Sequence, residues 1–158
     1  MTETFTTVAI VARRHSASVI DSVMATESCL FSLGIDVVFG EKTLKLISES
    51  AQSDGIQRKT CAEEELGTLA DLVVVIGGDG SLLGFGRELA ASQVPVVGVN
   101  RGGLGFLAAI SPEQIEIKLN GILQGQFSIE EHFLLEASVH RDGKIIASQT
   151  ALNDVVIN

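Results

Sequence analysis

The residues best suited to chemistry stand in one short turn, G-G-D-G-S, from Gly77 to Ser81. One carboxylate, Asp79, projects from it, between glycines that leave the backbone open to a ligand. Gly77, Gly78 and Gly80 offer backbone amides. A helix starting there would add the positive end of its dipole, so the turn is a candidate phosphate site. A carboxylate beside phosphates is repulsive unless the reaction uses it. It can hold a divalent cation that bridges phosphate oxygens, or accept a proton from a hydroxyl that attacks phosphorus. Both roles belong to phosphoryl transfer. The plainer alternative is a tight strand-to-helix turn in which Asp79 bonds local amides. The turn is not a P-loop, because no Gly-Lys-Ser/Thr follows, and it is not the G-x-G-x-x-G fingerprint.

The element that must deliver Asp79 is the unbroken apolar run Leu72 to Ile76. Such a run predicts a strand buried on both faces, as in a parallel sheet. Upstream, Thr6 to Ala12 predicts a first strand. Ser16 is a candidate N-cap for a helix over Ala17 to Leu33, with Ile20, Val23, Met24, Leu30 and Phe31 inward and Gly34 ending it. Ile35 to Phe39 predicts a second strand, and Lys42 to Glu49 a short helix with Leu44 and Ile47 on one face. Ala51 to Lys59 reads as a mobile loop, and Glu63 to Glu65 as a solvated acidic run. After the turn, Ser81 is the candidate cap of a helix to about Ala91. Gly84 and Gly86 inside that helix suggest close packing, or else a close ligand approach, and Arg87 a solvated face, or else a reach to phosphate. Val94 to Val99 is the next strand. It runs into a second glycine-rich turn, N-R-G-G-L-G-F-L, at Asn100 to Leu107. Ser111-Pro112 opens a last helix to about Gln124, with Ile115, Leu119, Ile122 and Leu123 inward.

This alternation predicts an α/β fold: a Rossmann-like, doubly wound parallel sheet. Ligands of such sheets bind beyond the carboxyl ends of the strands, where both glycine-rich turns fall. Asn100, at the end of its strand, is a candidate ligand contact or a simple strand cap. From Gln126 the pattern changes. Phe127 to His140 predicts a bent strand, Arg141-Asp142-Gly143-Lys144 a hairpin turn, Ile145 to Thr150 its return, and Ala151 to Asn158 a further strand. The expected organisation is an α/β nucleotide-binding domain over 1–125, followed by the first strands of an incomplete antiparallel β domain, sandwich-like, over 126–158. Two or three strands have no core of their own. The chain is therefore expected to be part of a longer polypeptide, or to complete its sheet with another subunit.

Bulk properties narrow the partners. A net charge of −9 over 158 residues argues against a nucleic-acid backbone or an anionic membrane. It leaves room for a nucleotide held locally by amides and a cation. No apolar run approaches the ~20 residues that span a bilayer, and the first residues do not read as a signal peptide. The expectation is a cytoplasmic protein with Cys29 and Cys61 as reduced thiols. Neither these nor the three histidines show metal-ligand spacing.

Three motifs in order, G-G-D-G-S-L-L, N-R-G-G-L-G-F-L and L-N-D-V-V-I, resemble the NAD kinase family. The resemblance covers essentially the whole chain and corresponds to the N-terminal part of that family's fold. It implies transfer of the ATP γ-phosphoryl group (polyphosphate in some members) to the adenosine 2′-hydroxyl of NAD, giving NADP. It implies Asp79 as catalytic base with Gly80 lining the same site, Phe106 near the adenine, and Asn153 and Asp154 on the nucleoside portion of NAD. It further implies NAD and ATP as partners, Mg²⁺ or another divalent cation with ATP, no tightly bound prosthetic group, and a homo-oligomer, dimer or tetramer. Departures from the family pattern are Gly103, often Asn, and Ala108, often Thr; neither removes a catalytic group. The alternatives from the residues are a lipid or sugar kinase with the same G-G-D-G turn, and a nucleotide-binding module without turnover.

Overall fold

The computed structural model describes residues 5–102 and 107–156. Five parallel strands form the main sheet: β1 (Thr7–Ala12), β2 (Asp36–Gly40), β3 (Thr60–Cys61), β4 (Leu72–Gly77) and β5 (Val96–Asn100). Their order is β3-β2-β1-β4-β5, so the winding direction reverses between β1 and β4. β1 and β4 are central. Val8 pairs with Leu72 and Ala12 with Ile76, while Gly77 pairs with Asn100 at the far end of β5. Every residue of β4 is buried, as its apolar run requires.

Alternate side chains of the sheet feed two cores. On one face Val8, Ile10, Val74 and Ile76 pack against α1 (Ala17–Ser32) and α5 (Ile115–Leu123), with Ile47 of α2 (Glu41–Ser48) in the same cluster. On the other, Ala9, Val11, Val73 and Val75 meet Phe85 and Leu89 of α4 (Asp79–Leu89) and Leu66 of α3 (Leu66–Leu69). Helices on both faces of a parallel sheet make the fold doubly wound. Ser16 caps α1 by accepting from the Val19 amide at 3.3 Å. Gly34 takes a φ of 73° just past that helix, where an L side chain is disfavoured.

Several local details differ from the sequence-based expectations. Phe31 is 81% exposed. It stands about 100° from the centre of the buried stripe formed by Val19, Val23 and Leu30, in the last turn of α1. The 51–59 loop is pinned rather than mobile. The Arg58 side chain is only 4% exposed and bonds Glu27 at 2.7 and 2.8 Å and Asp54 at 2.8 Å. Those guanidinium hydrogen bonds, with one from the Ile56 amide, hold the Asp54 carboxyl well below the usual carboxylate range. The acidic run is only partly a solvated face. Glu63 Oε1 accepts from the Lys42 amide at 3.1 Å, at the start of α2, whose cap residue Gly40 has no side chain to do so. A 3₁₀ turn over Pro112–Gln114 precedes α5.

The chain beyond α5 forms one antiparallel hairpin, β6 (Leu135–Arg141) and β7 (Lys144–Ala151). Asp142 and Gly143 turn it with φ of 49° and 74°, the double positive φ that favours an Asp-Gly turn. The first strand begins at Leu135, not Phe127. The expected further strand over Ala151 to Asn158 is absent among the described residues, since β7 ends at Ala151. Among the described residues no neighbouring strand pairs with 152–156. Val139, Ile145 and Ile146 are all more than half exposed.

Candidate active site

The reversal of strand order puts a crevice at the carboxyl ends of β1 and β4. Asp79 stands there, two residues past β4, as the first residue of α4. The helix cap is Gly78, not Ser81. The Ser81 and Leu82 amides both donate to the Gly78 carbonyl, at 2.9 and 3.2 Å, so the helix closes before Ser81 could cap it. Ser81 is buried inside the first turn, against Gly77, where an added Cβ would meet its Oγ at 2.5 Å. Gly77 is therefore a packing glycine. Gly80 is exposed, and a Cβ there would meet nothing within 4 Å. The leading amides of a helix have no acceptor within it, and at this end they belong to residues of the glycine turn.

The second glycine-rich turn touches the first. The Arg101 amide donates to the Gly77 carbonyl at 2.8 Å. A Cβ on Gly102 would come within 3.0 Å of Gly78 Cα, so only glycine lets the two backbones meet. Asn100 Oδ1 accepts from the Gly102 amide at 2.9 Å, which makes Asn100 a cap of its own turn. Where the turn returns, the Leu107 and Ala108 amides donate to Asp79 Oδ1 at 3.3 and 3.4 Å. The Ile110 amide then donates to the Gly98 carbonyl at 3.0 Å, closing the loop back onto β5.

The remaining expected site residues stand apart. Asn153 and Asp154 are exposed just past β7, and no hydrogen bond ties either side chain to another described residue. Phe106 lies outside the described residues. Arg87 is not simply solvated: its Nη1 donates to the Thr150 carbonyl at 3.2 Å. Among the described residues no cluster of three or more His, Cys, Asp or Glu could hold a metal ion. Burial pushes both cysteine thiols up, Cys29 with help from Glu116 and Cys61 from Glu65, so neither is a ready nucleophile.

Three positioning features escaped the sequence reading. The Leu107 and Ala108 amides carry no side-chain signal. Arg101 bonds the buried Ser22 of α1 through its Nε at 2.6 Å, tying the second turn to a helix far away in sequence. Arg13 leaves β1 and lays its guanidinium over the Phe85 ring, 4.4 Å from the centroid, beside Glu88. A Cβ on Gly84 would collide with it. The glycines of α4 signalled that close approach; nothing in the sequence named the partner.

The strand order, the switch-point crevice and the carboxylate at a helix N-terminus define a Rossmann-like, doubly wound α/β class. Residues 8–127 match the model of the ATP-NAD kinase N-terminal domain. The chain belongs to the NAD kinase family. It is 44% identical over 154 residues to an NAD kinase of Cellvibrio japonicus, covering 98% of this chain and 51% of that one. It is 41% identical over 156 residues to an NAD kinase of Pseudomonas savastanoi, covering 99% and 51%. The chain thus spans about half the length of the curated relatives it matches. The fold is shared with yeast NADH kinase complexed with NADH (TM-score 0.76, 19% identity, 96% of this chain and 48% of that one). An Archaeoglobus fulgidus NAD kinase in complex with ATP matches more loosely (TM-score 0.54, 22% identity, 88% and 45%). No helix among the described residues is long and apolar enough to cross a membrane.

Proposed function

We propose that this chain is the nucleotide-binding part of an NAD kinase that phosphorylates the adenosine 2′-hydroxyl of NAD with ATP, giving NADP and ADP. The observation that carries the reading is Asp79, set on a helix N-terminus at the β1/β4 switch point with two backbone amides from the second glycine turn on its Oδ1. In this reading the carboxylate takes the 2′-hydroxyl proton as the oxygen bonds to the γ-phosphorus, and the bond to the β-phosphate oxygen breaks to release ADP. The amides from Leu107 and Ala108 fix the carboxylate's direction, so the base is in place before the substrate arrives. Gly78 and Gly80 keep the phosphate approach open, Gly77 being taken up by packing on Ser81, and Gly80, sterically free of the protein, is the one with room for a ligand. Mg²⁺ or another divalent cation enters on the ATP phosphates, whose charge it offsets.

Asn100, Phe106, Asn153 and Asp154 are assigned to NAD, the last two on the nucleoside portion. Residues 1–125 form the nucleotide-binding domain. Residues 126–158 open a β domain whose exposed apolar side chains, Val139, Ile145 and Ile146 among them, support burial against further protein in a cytoplasmic homo-oligomer. A lipid or sugar kinase sharing the G-G-D-G turn is not favoured, given the family match over residues 8–127.

The test is NADP formation from NAD and ATP with Mg²⁺ by the intact protein, alongside Asp79→Asn. The variant should lose about 10²- to 10⁴-fold in kcat, the range of a general base, and still bind NAD in isothermal titration. Unchanged turnover would remove Asp79 from the chemistry, and binding without product from the wild type would leave a nucleotide-binding module.

A further inference from the structure

The face of α4 that carries Asp79 also carries the end of the hairpin. Gly86 stands two helical turns below Asp79 on the same side, ~10 Å along the axis. A Cβ on Gly86 would meet Leu152 Cδ2 at 3.1 Å. The next residue, Arg87, donates from Nη1 to the Thr150 carbonyl at 3.2 Å. A glycine inside a helix weakens it, and here the missing side chain is filled by Leu152. The last carbonyl contacts of β7 and the first side chain past it are thus both fixed to one helix. Asn153 and Asp154 follow directly, with two turns of helix between Leu152 and the Asp79 carboxylate. An extended chain advances about 3.3–3.6 Å per residue, so Asn153 and Asp154 carry it about 7 Å along that span, with their side chains reaching further.

We infer that Gly86 and Arg87 are positioning residues that set the register of the strand end on α4 and so deliver Asn153 and Asp154 to the substrate that Asp79 deprotonates. The inference rests on the assignment of Asn153 and Asp154 to NAD. Neither Gly86 nor Arg87 touches the reacting atoms in this arrangement. Their effect is on where the NAD-binding wall stands, so it should fall on NAD and spare the phosphoryl donor.

The test compares Arg87→Ala, Arg87→Lys and Gly86→Ala with wild type in the intact protein. It reads amide hydrogen exchange over 150–156, KM for NAD and for ATP, and the thermal midpoint. Arg87→Ala should speed exchange across 150–156 and raise KM for NAD about tenfold, with KM for ATP and kcat within about twofold, the pattern of lost ground-state binding. Arg87→Lys keeps a donor for the Thr150 carbonyl and should recover most of the effect. Gly86→Ala should hold or raise the thermal midpoint, as alanine favours helix, while weakening NAD through the displaced Leu152. Unchanged exchange in Arg87→Ala, equal rises in both KM values, or a lysine no better than alanine each overturn the inference. A wild type that makes no NADP would instead overturn the kinase assignment, and the exchange comparison would still decide the clamp.

Discussion

The five-stranded sheet and the β6–β7 hairpin are both β structure, yet they stand at opposite extremes of burial. β1 and β4 are flanked on both edges by other strands and on both faces by helices or their loops. Val8 to Ala12 have no exposed surface at all. The hairpin has one partner per strand, and its apolar residues, Val139, Ile145 and Ile146, are open to solvent. The first region is held by its own core, whereas two strands alone are marginal in water. The hairpin's fixed points are its Asp-Gly turn and the contacts of Thr150 and Leu152 with α4.

The largest effect separates these two regions directly. Ile10→Ala, at a fully buried site in the central strand, should cost about 2–5 kcal/mol in urea unfolding. Ile145→Ala, on the exposed hairpin, should stay within about 0.5 kcal/mol. A cost above ~1 kcal/mol at Ile145 would break the comparison, because it would mean that the hairpin is covered in solution by further protein, the condition expected of a homo-oligomer.

A second contrast lies within the glycine turn. Gly77 closes the buried strand, and its Cβ would sit 2.8 Å from the Ser81 Cβ, inside the distance real carbons keep. Gly77→Ala should therefore cost about 1–3 kcal/mol, the range for overpacking. Gly80→Ala meets no protein atom and should leave the unfolding midpoint unchanged or raised. If Gly80 lines the nucleotide site, the same substitution should weaken NAD or ATP binding in titration. Equal losses of stability at both positions would show that the turn is all packing, with no face reserved for a ligand.

What could be read in the sequence follows the same division. Leu72 to Ile76 announced a doubly buried strand because its signal is local and unambiguous, and the Ser16 cap and Asp142-Gly143 turn were equally local. The doubly wound class, with a site beyond the carboxyl ends of the strands, followed from the alternation of elements, but the strand order and its reversal between β1 and β4 did not. The start of β6 was not legible, because strand extent depends on a neighbour to pair with more than on propensity, whereas β7 was read to within a residue at each end. Arg87, Arg101 and Arg13 were misread or missed for one reason. Each is decided by a partner far along the chain: Thr150, Ser22 and Phe85. Arginine alone does not say whether it faces water, a carbonyl or a ring.

The smallest predicted effect concerns a carboxylate at the opposite end of β4 from Asp79. Asp71 Oδ2 accepts from the Thr6 amide and hydroxyl, both at 2.8 Å, and from the Thr7 amide at 2.9 Å, fastening the start of β4 to the start of β1. These donors, the Thr6 and Thr7 amides first, hold the Asp71 carboxyl below its ordinary value. A depressed folded-state value means stability that is present above the unfolded carboxylate range, near pH 4, and lost as pH falls through the folded value. Asp71 is solvent-exposed, so screening reduces its contribution to about 1 kcal/mol or less. Asp71→Asn keeps a carbonyl acceptor but no charge. It should lower the urea midpoint slightly at pH 7 and flatten the loss of stability below pH 4. The loss is a property of the core sheet, so Ile145→Ala in the hairpin should leave that acid limb untouched. An unchanged limb in Asp71→Asn would assign the acid sensitivity to other carboxylates, with the paired Asp54 as the next to replace.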